Sequence, residues 1–290
     1  MKIKNLFNGK EKNAYLIAEI GINHNGDLNL AFELIKICKD NGFDAVKFQK
    51  RVPDLCVPID KRDEIRNTPW GKMTYFDYKK KIEFSKDDYD KIDQYCRNLE
   101  IEWSASAWDS ESLNFLEQYN LPFIKIPSDK NSDLAFIDNL KKIKTPVILS
   151  SGGTTIESLS KIIDTLKNNQ VALLQCTSIY PCPTEKVNLS VMKEFKKRFK
   201  IPVGFSSHHS SPMLSAMACA YGAQIIEVHV TIDRTLWGTD QAMSLGPRGG
   251  EVLVRSIKQF EQAKGNPKKI VYKEESKTLS RTVDIEKDDK

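Results

Sequence analysis

A chain of 290 residues with 40% hydrophobic and 29% charged residues is too apolar to stay disordered and long enough to bury one large core. Its net charge of +5 is spread over segments where Lys and Arg alternate with Asp and Glu, a solvated surface that argues against nucleic acid as a partner. No apolar run approaches the ~18 residues of a membrane span, and the start MKIKNLFNGKEKN lacks the apolar centre of a secretion signal.

Residues 1–14 are polar and read as an N-terminal hairpin. From Tyr15 a beat begins, in which short apolar or β-branched runs alternate with helical patterns. The strand candidates are Tyr15–Glu19, Ala45–Phe48, Glu102–Ser106, Phe123–Ile126, Val147–Ser150, Val171–Gln175, Val203–Phe205 and Ile225–Val230. Near-continuous apolar runs of this length suit parallel strands buried on both faces.

The intervening helices are predicted over Leu28–Asn41, Ser85–Leu99, Ser110–Tyr119, Leu134–Lys142, Ser190–Phe199, Pro212–Tyr221 and Gly250–Ala263. One more starts at Thr154, where Thr154 and Glu157 have capping-box spacing, and runs to about Asn168. The connection from about Lys50 to Ile82 is the longest and is assigned to a rim loop. Eight evenly spaced strands, each followed by a helix, predict a TIM-type (β/α)8 barrel over residues 15–265, with a charged tail over 266–290 that frays beyond Ser280. The six cysteines, Cys38, Cys56, Cys96, Cys176, Cys182 and Cys219, form no CxxC pair and suit the reduced thiols of a cytoplasmic enzyme. Cys176 reads as a small core residue.

Barrels place their chemistry where strands run into the following loops. Those positions hold Glu19, His24, Lys47, Gln49, Ser104, Ser106, Lys125, Ser128, Ser150, Ser151, Gln175, Ser178, Tyr180, Ser206, His208, His209, Glu227 and His229. Lys47 and Gln49 are two apart on a strand and share a face. A lysine inside an apolar strand must meet either an anionic ligand or a structural carboxylate such as Glu19. All four histidines fall at strand ends, where two from adjacent strands can meet at one metal. The residues alone give a metal facing an anion site.

The stretches AEIGINHNG (from Ala18), DAVKFQ (from Asp44), IKIPS (from Ile124), VILSSG (from Val147), YPCPTEKVNL (from Tyr180), VGFSSHH (from Val203) and IEVHVTIDR (from Ile225) resemble the N-acetylneuraminate (sialic acid) synthase family, as does WGTDQAMSL from Trp237. The resemblance runs from about Tyr15 to Gly265. It implies a metal-dependent transferase that condenses phosphoenolpyruvate with an open-chain N-acyl-aminohexose and releases phosphate, working as a homodimer or higher homo-oligomer. It further implies His208 and His229 as ligands of a divalent metal, Mn2+ with Mg2+ or Co2+ as alternatives. Lys47, Ser106, Lys125, Ser128, Ser150, Ser178 and Ser206 then match phosphoenolpyruvate contacts. Glu19 matches a carboxylate placed for proton transfer, and Gln49, Tyr180 and Asp240 match sugar contacts.

Three departures bear on the acceptor. Lys130 stands where bacterial relatives carry a sugar-binding glutamate, which points to an acceptor that carries an acidic group or lies differently. Ser207 replaces an Asp common beside the metal ligand. The chain ends where the family's small C-terminal antifreeze-like domain is expected. Two rival functions remain at this point: a 3-deoxy-octulosonate or 3-deoxy-heptulosonate phosphate synthase, and a barrel that binds a ligand without turning it over. The second predicts loss of the histidine pair or the lysines, and all four are present.

Overall fold

The computed structural model describes residues 2–279, apart from Lys12 and Asn266. Its strands, in chain order, are β1 (Tyr15–Gly21), β2 (Ala45–Lys50), β3 (Ile65–Thr68), β4 (Gly71–Thr74), β5 (Glu102–Ala107), β6 (Ile124–Ile126), β7 (Val147–Ser150), β8 (Val171–Cys176), β9 (Val203–Ser207) and β10 (Ile225–His229). β3 and β4 form a separate antiparallel hairpin. The other eight close into a barrel in the order β1-β10-β9-β8-β7-β6-β5-β2, every pair parallel. These are the eight strands predicted, with ends shifted by a residue or two. Their outward faces meet the surrounding helices in one large apolar cluster.

Inside the barrel, the two-residue strand period separates an apolar floor from a charged layer above it. Ile17, Ala45, Phe123, Ile148, Leu174 and Ile225 share one interior cluster. Two residues further along the same strands stand Glu19, Lys47, Lys125, Ser150, Cys176 and Glu227, all buried. One step of alternation therefore carries each strand from packing to chemistry.

The N-terminal residues correct the sequence reading. In place of a hairpin there is an α-helix, Lys2–Phe7, whose Ile3 and Leu6 are buried and join the floor cluster. Residues three apart share a helix face but point to opposite faces of a strand, so only a helix buries both here. Lys2 ties the helix down by donating to the Ala14 carbonyl at 2.7 Å and pairing with Asp44 at 3.0 Å.

The long connection after β2 is not a structureless loop. It holds a turn of helix (Pro53–Cys56), a 3-10 turn (Ile59–Lys61), the β3–β4 hairpin and a helix (Tyr75–Ile82). Trp237, on the loop after β10, clamps it: the indole donates to the Asn67 carbonyl at 3.1 Å and packs edge-on to Trp70 and Tyr78. The helix after β7 starts at Ile156, and its cap is Thr155 rather than Thr154, because the Thr155 hydroxyl accepts from the Ser158 amide. The last barrel helix is Pro247–Ala263, and the tail adds a 3-10 turn over Lys273–Lys277. The expected fraying beyond Ser280 lies outside the described residues.

His24 belongs to the fold. It is buried, stacks on Phe84 at 4.0 Å and accepts from the Gly26 amide through Nδ1 at 3.0 Å. Burial, with Arg51 nearby, lowers its pKa to about 3. A base depressed in the folded state contributes stability that is fully present above its unfolded value of about 6.5 and lost as pH falls. Between about 6.5 and 3 this residue should cost about 1.4 kcal/mol per pH unit. His24→Asn, which keeps an acceptor but cannot be protonated, should flatten the acid side of the stability curve. Urea midpoints measured from pH 7 to 3.5 that fall in parallel for both proteins would contradict this.

Candidate active site

The cavity at the C-terminal ends of the strands has a volume of about 660 Å³. Its walls include Glu19, Lys47, Gln49, Ser106, Lys125, Ser128, Ser150, Ser178, Tyr180, Ser206, His208, His229 and Asp240. Of the fourteen residues given a role in the sequence reading, thirteen therefore share one chamber.

The fourteenth, Lys130, does not line it. In the 3-10 turn Ser128–Lys130, the Ser128 hydroxyl points inward and accepts from the Gly152 amide at 3.0 Å. Lys130, two residues on, turns away and pairs with Asp133 at 3.6 Å, while Asp129 takes the place on the wall. The 3-10 rotation of about a third of a turn per residue separates the three side chains.

At the bottom, two lysines face two carboxylates. Lys47 forms an ion pair with Glu19, donates to Ser106 at 2.7 Å and lies 3.7 Å from Glu227. Lys125 donates to Ser150 at 2.6 Å and lies 3.7 Å from Glu227, which accepts from Ser206 at 2.8 Å. The structural-carboxylate alternative for Lys47 is thus realised, yet the lysines still face the cavity. Desolvation raises the Glu19 pKa, with Glu227 adding to the rise and Lys47 opposing it. Burial alone would raise Glu227 too, but Lys125 and Lys47 overcome it and hold that carboxyl below the usual range. Desolvation lowers Lys125. The buried Oε2 of Glu227 has no hydrogen bond among the described residues, while that of Glu19 meets Lys47. With Glu19 tending to hold its proton, the cluster favours an incoming anion to balance its lysines.

Gly152 completes the serine side. A Cβ there would stand 2.1 Å from the Ser178 Oγ and 2.6 Å from the Ser128 Oγ. Gly152→Ala should therefore push both hydroxyls apart and raise the KM for an anionic substrate by about tenfold or more, the loss of one or two hydrogen bonds. An unchanged KM would show that the hydroxyls do not touch the ligand.

His208 and His229 stand on the opposite wall with ring centroids 5.5 Å apart. His208 Nδ1 lies 2.8 Å from the Thr177 carbonyl, so that nitrogen carries the proton and Nε2 keeps a free lone pair. His229 is held neutral by burial, its pKa lowered to about 4, and its buried Nδ1 has no hydrogen-bond partner, with Asp240 Oδ2 3.7 Å away. Tyr180 stacks on His208 at 4.0 Å. Among the described residues no three His, Cys, Asp or Glu side chains converge as a preformed cage. Two imidazoles, each with a ring nitrogen that makes no hydrogen bond among the described residues, fit a divalent metal whose other positions are filled by substrate and water. His209 bonds instead to Thr184 and the Ser211 amide.

Sequence reasoning gave several wall residues no role. Glu227, noted at its strand end, lies one strand period before His229 and lines the same cavity. Cys176, read as core, is buried but lines the cavity, 3.9 Å from His208 Nδ1. Arg51, Lys79, Trp108 and Asp129 line it too, and nothing in the local pattern marks them.

Comparison with known proteins agrees with this architecture. The NeuB family model matches residues 34–269. The chain is 36% identical to human N-acetylneuraminate-9-phosphate synthase, covering 90% of this chain and 74% of that one. It is 33% identical to the N,N'-diacetyllegionaminic acid synthase of Legionella pneumophila, over 90% and 76%. A sialic acid synthetase structure from Leptospira borgpetersenii, in complex with citrate, superposes with a TM-score of 0.82 at 28% identity, covering 92% of this chain and 90% of that one. On the family model and these relatives, the chain belongs to the NeuB family of synthases.

Proposed function

We propose that the protein condenses phosphoenolpyruvate with the aldehyde of an open-chain N-acyl-aminohexose, releasing phosphate and a sialic-acid-like 2-keto-3-deoxy sugar acid. The observation that carries this reading is the pair of buried lysines, Lys47 and Lys125, set among serine hydroxyls at the bottom of the cavity. Such a site suits a small, multiply charged anion better than a neutral sugar. The names of the relatives, synthases of sialic and legionaminic acids, support the product class.

In this reading Lys47, Lys125 and the hydroxyls of Ser106, Ser128, Ser150, Ser178 and Ser206 hold the phosphate and carboxylate of phosphoenolpyruvate. C3 of the enol attacks the aldehyde carbon, the carbon–carbon bond forms, and the aldehyde oxygen takes a proton. Water then adds at C2 and loses its proton, and the bond between C2 and the phosphate oxygen breaks. Glu19, biased towards its acid form by burial, is placed to deliver the proton to the aldehyde oxygen. Gln49 donates to Glu19 Oε1 at 3.3 Å and orients it, while Tyr180 and Asp240 face the sugar. His208 and His229 would hold a divalent metal, Mn2+ in our reading, which when bound supplies Lewis-acid polarisation of the aldehyde. Six unpaired cysteines favour a reducing, cytoplasmic setting.

The test is to incubate the protein with phosphoenolpyruvate and a panel of aldoses and N-acyl sugars, following phosphate release and the adduct by mass. The expected adduct is the sum of both substrates and water less phosphoric acid. Phosphate release with no acceptor in the panel would overturn the reading. Preference for a phosphorylated pentose or tetrose would favour the octulosonate or heptulosonate rival.

A further inference from the structure

One buried carboxylate in the cavity has no part in the chemistry above. Strand β10 rises in steps, because residues two apart share a face. Ile225 belongs to the apolar floor, Glu227 stands in the layer of the lysines, and His229 ends the strand one step higher. Glu227 is 4% exposed. Its neighbour across β9 is Ser206, whose hydroxyl donates to Oε1 at 2.8 Å and anchors that side of the carboxylate.

The two carboxylate oxygens divide the lysines between them. Oε1 lies 3.7 Å from Lys125 Nζ, and Oε2 lies 3.7 Å from Lys47 Nζ. These separations are too long for hydrogen bonds but short enough for a strong Coulomb attraction where bulk water is kept away. Each ammonium engages partners elsewhere: Lys47 meets Glu19 and Ser106, and Lys125 donates to Ser150 and the Ile126 carbonyl. An ammonium has a third proton, so each lysine keeps one for a ligand, with Glu227 set between the two. Glu227 Oε2 itself has no hydrogen bond among the described residues. A carboxylate serving only as a counter-ion would bond its cations directly, as Glu19 meets Lys47.

Phosphoenolpyruvate gives this placement a meaning. Its C2 carries both the carboxylate and the phosphate-bearing oxygen, the two groups that the lysines receive in the reading above. An acid equally far from both ammonium groups therefore faces C2. When C3 gives its π electrons to the new carbon–carbon bond, C2 is left electron-poor and shares a positive charge with the ester oxygen. A fixed negative charge beside such an oxocarbenium-like centre lowers its energy, as the carboxylates of glycosidases do.

We infer that Glu227 is a catalytic residue of the condensation: its charge stabilises the cationic C2, and its free Oε2 accepts a hydrogen bond from the water that adds there. The step balances without a further reactant. The water oxygen bonds to C2, and one of its protons replaces the one that Glu19 gave to the aldehyde oxygen. The other leaves with the phosphate as the bond between C2 and the ester oxygen breaks. This role rests on the condensation proposed above.

The experiment compares the wild type with Glu227→Gln and Glu227→Asp, with Mn2+ added. Calorimetry gives the Kd for phosphoenolpyruvate, and phosphate release with the sugar panel gives kcat. In Glu227→Gln, kcat should fall by about 10²- to 10³-fold. The Kd should stay within about threefold of the wild type or tighten, since a negative charge beside the lysines has gone. Glu227→Asp keeps the charge and should recover about tenfold or more of the lost turnover. Turnover in Glu227→Gln within about threefold of the wild type overturns the role. So does a phosphoenolpyruvate affinity that falls as far as turnover, because Glu227 would then only hold the lysines in place. An Asp variant no more active than the Gln variant assigns the effect to shape and overturns it too. Should Glu227→Gln fail to fold, Glu227→Asp decides by the same split between kcat and Kd. A wild type that releases phosphate with no sugar of the panel overturns the condensation itself, and this role with it.

Discussion

Replacing His208 or His229 with alanine should remove nearly all turnover while the barrel remains folded. Each ring sits at the end of a strand whose packing residues lie elsewhere, so the scaffold loses little. What disappears is one of two imidazoles facing a common space, with centroids 5.5 Å apart. Chelation of the wild type should have the same effect, and Mn2+ should restore activity to the wild type but not to either variant. The measurements are turnover, bound metal per chain and melting temperature on the same preparations. Full activity in either variant without bound metal would end the assignment of these histidines as ligands.

The second large effect is expected at the lysines. Lys47→Met and Lys125→Met should each weaken phosphoenolpyruvate binding by about 10- to 150-fold, the ~1.5–3 kcal/mol of a charged hydrogen bond. Stability should fall as well, because each change leaves a buried carboxylate short of a partner: Glu19 for Lys47, and Glu227 for both. Pairing Lys47→Met with Glu19→Gln should recover part of the lost stability but none of the lost affinity. Steady-state kinetics and urea melts separate the two effects. A change under about threefold in both KM and kcat/KM for both single variants would place the anion site elsewhere.

Much of this site was legible because strand alternation is so simple. In Ala45–Lys50 an apolar strand carries Lys47 and Gln49 two apart, and nothing but the barrel interior can receive both. The same rule reaches Glu227 from His229, although the histidine drew attention first. The floor helix was not legible, since six residues with only Ile3 and Leu6 fully buried give no periodicity to read. The β3–β4 hairpin is largely exposed and carries no alternation of apolar residues. Arg51 and Lys79 are hidden for another reason. What distinguishes them is their place on the cavity wall, and that is a property of the folded neighbourhood. Lys130 misled because its neighbour Asp129, one residue away, takes the wall position instead.

The helix Lys2–Phe7 turns a pipe into a well. With Ile3 and Leu6 set in the floor, bulk water cannot approach Lys47 and Lys125 from below, and their field spreads chiefly towards the cavity. Low-dielectric walls focus such a field, so an anion drifting near the mouth is drawn down an electrostatic gradient before it touches a side chain. Association of phosphoenolpyruvate, followed by stopped flow, should accordingly slow as ionic strength rises, while its dissociation from beneath the Debye atmosphere changes little. Comparable salt dependence in both rates would mean that ions enter the well as freely as the substrate does.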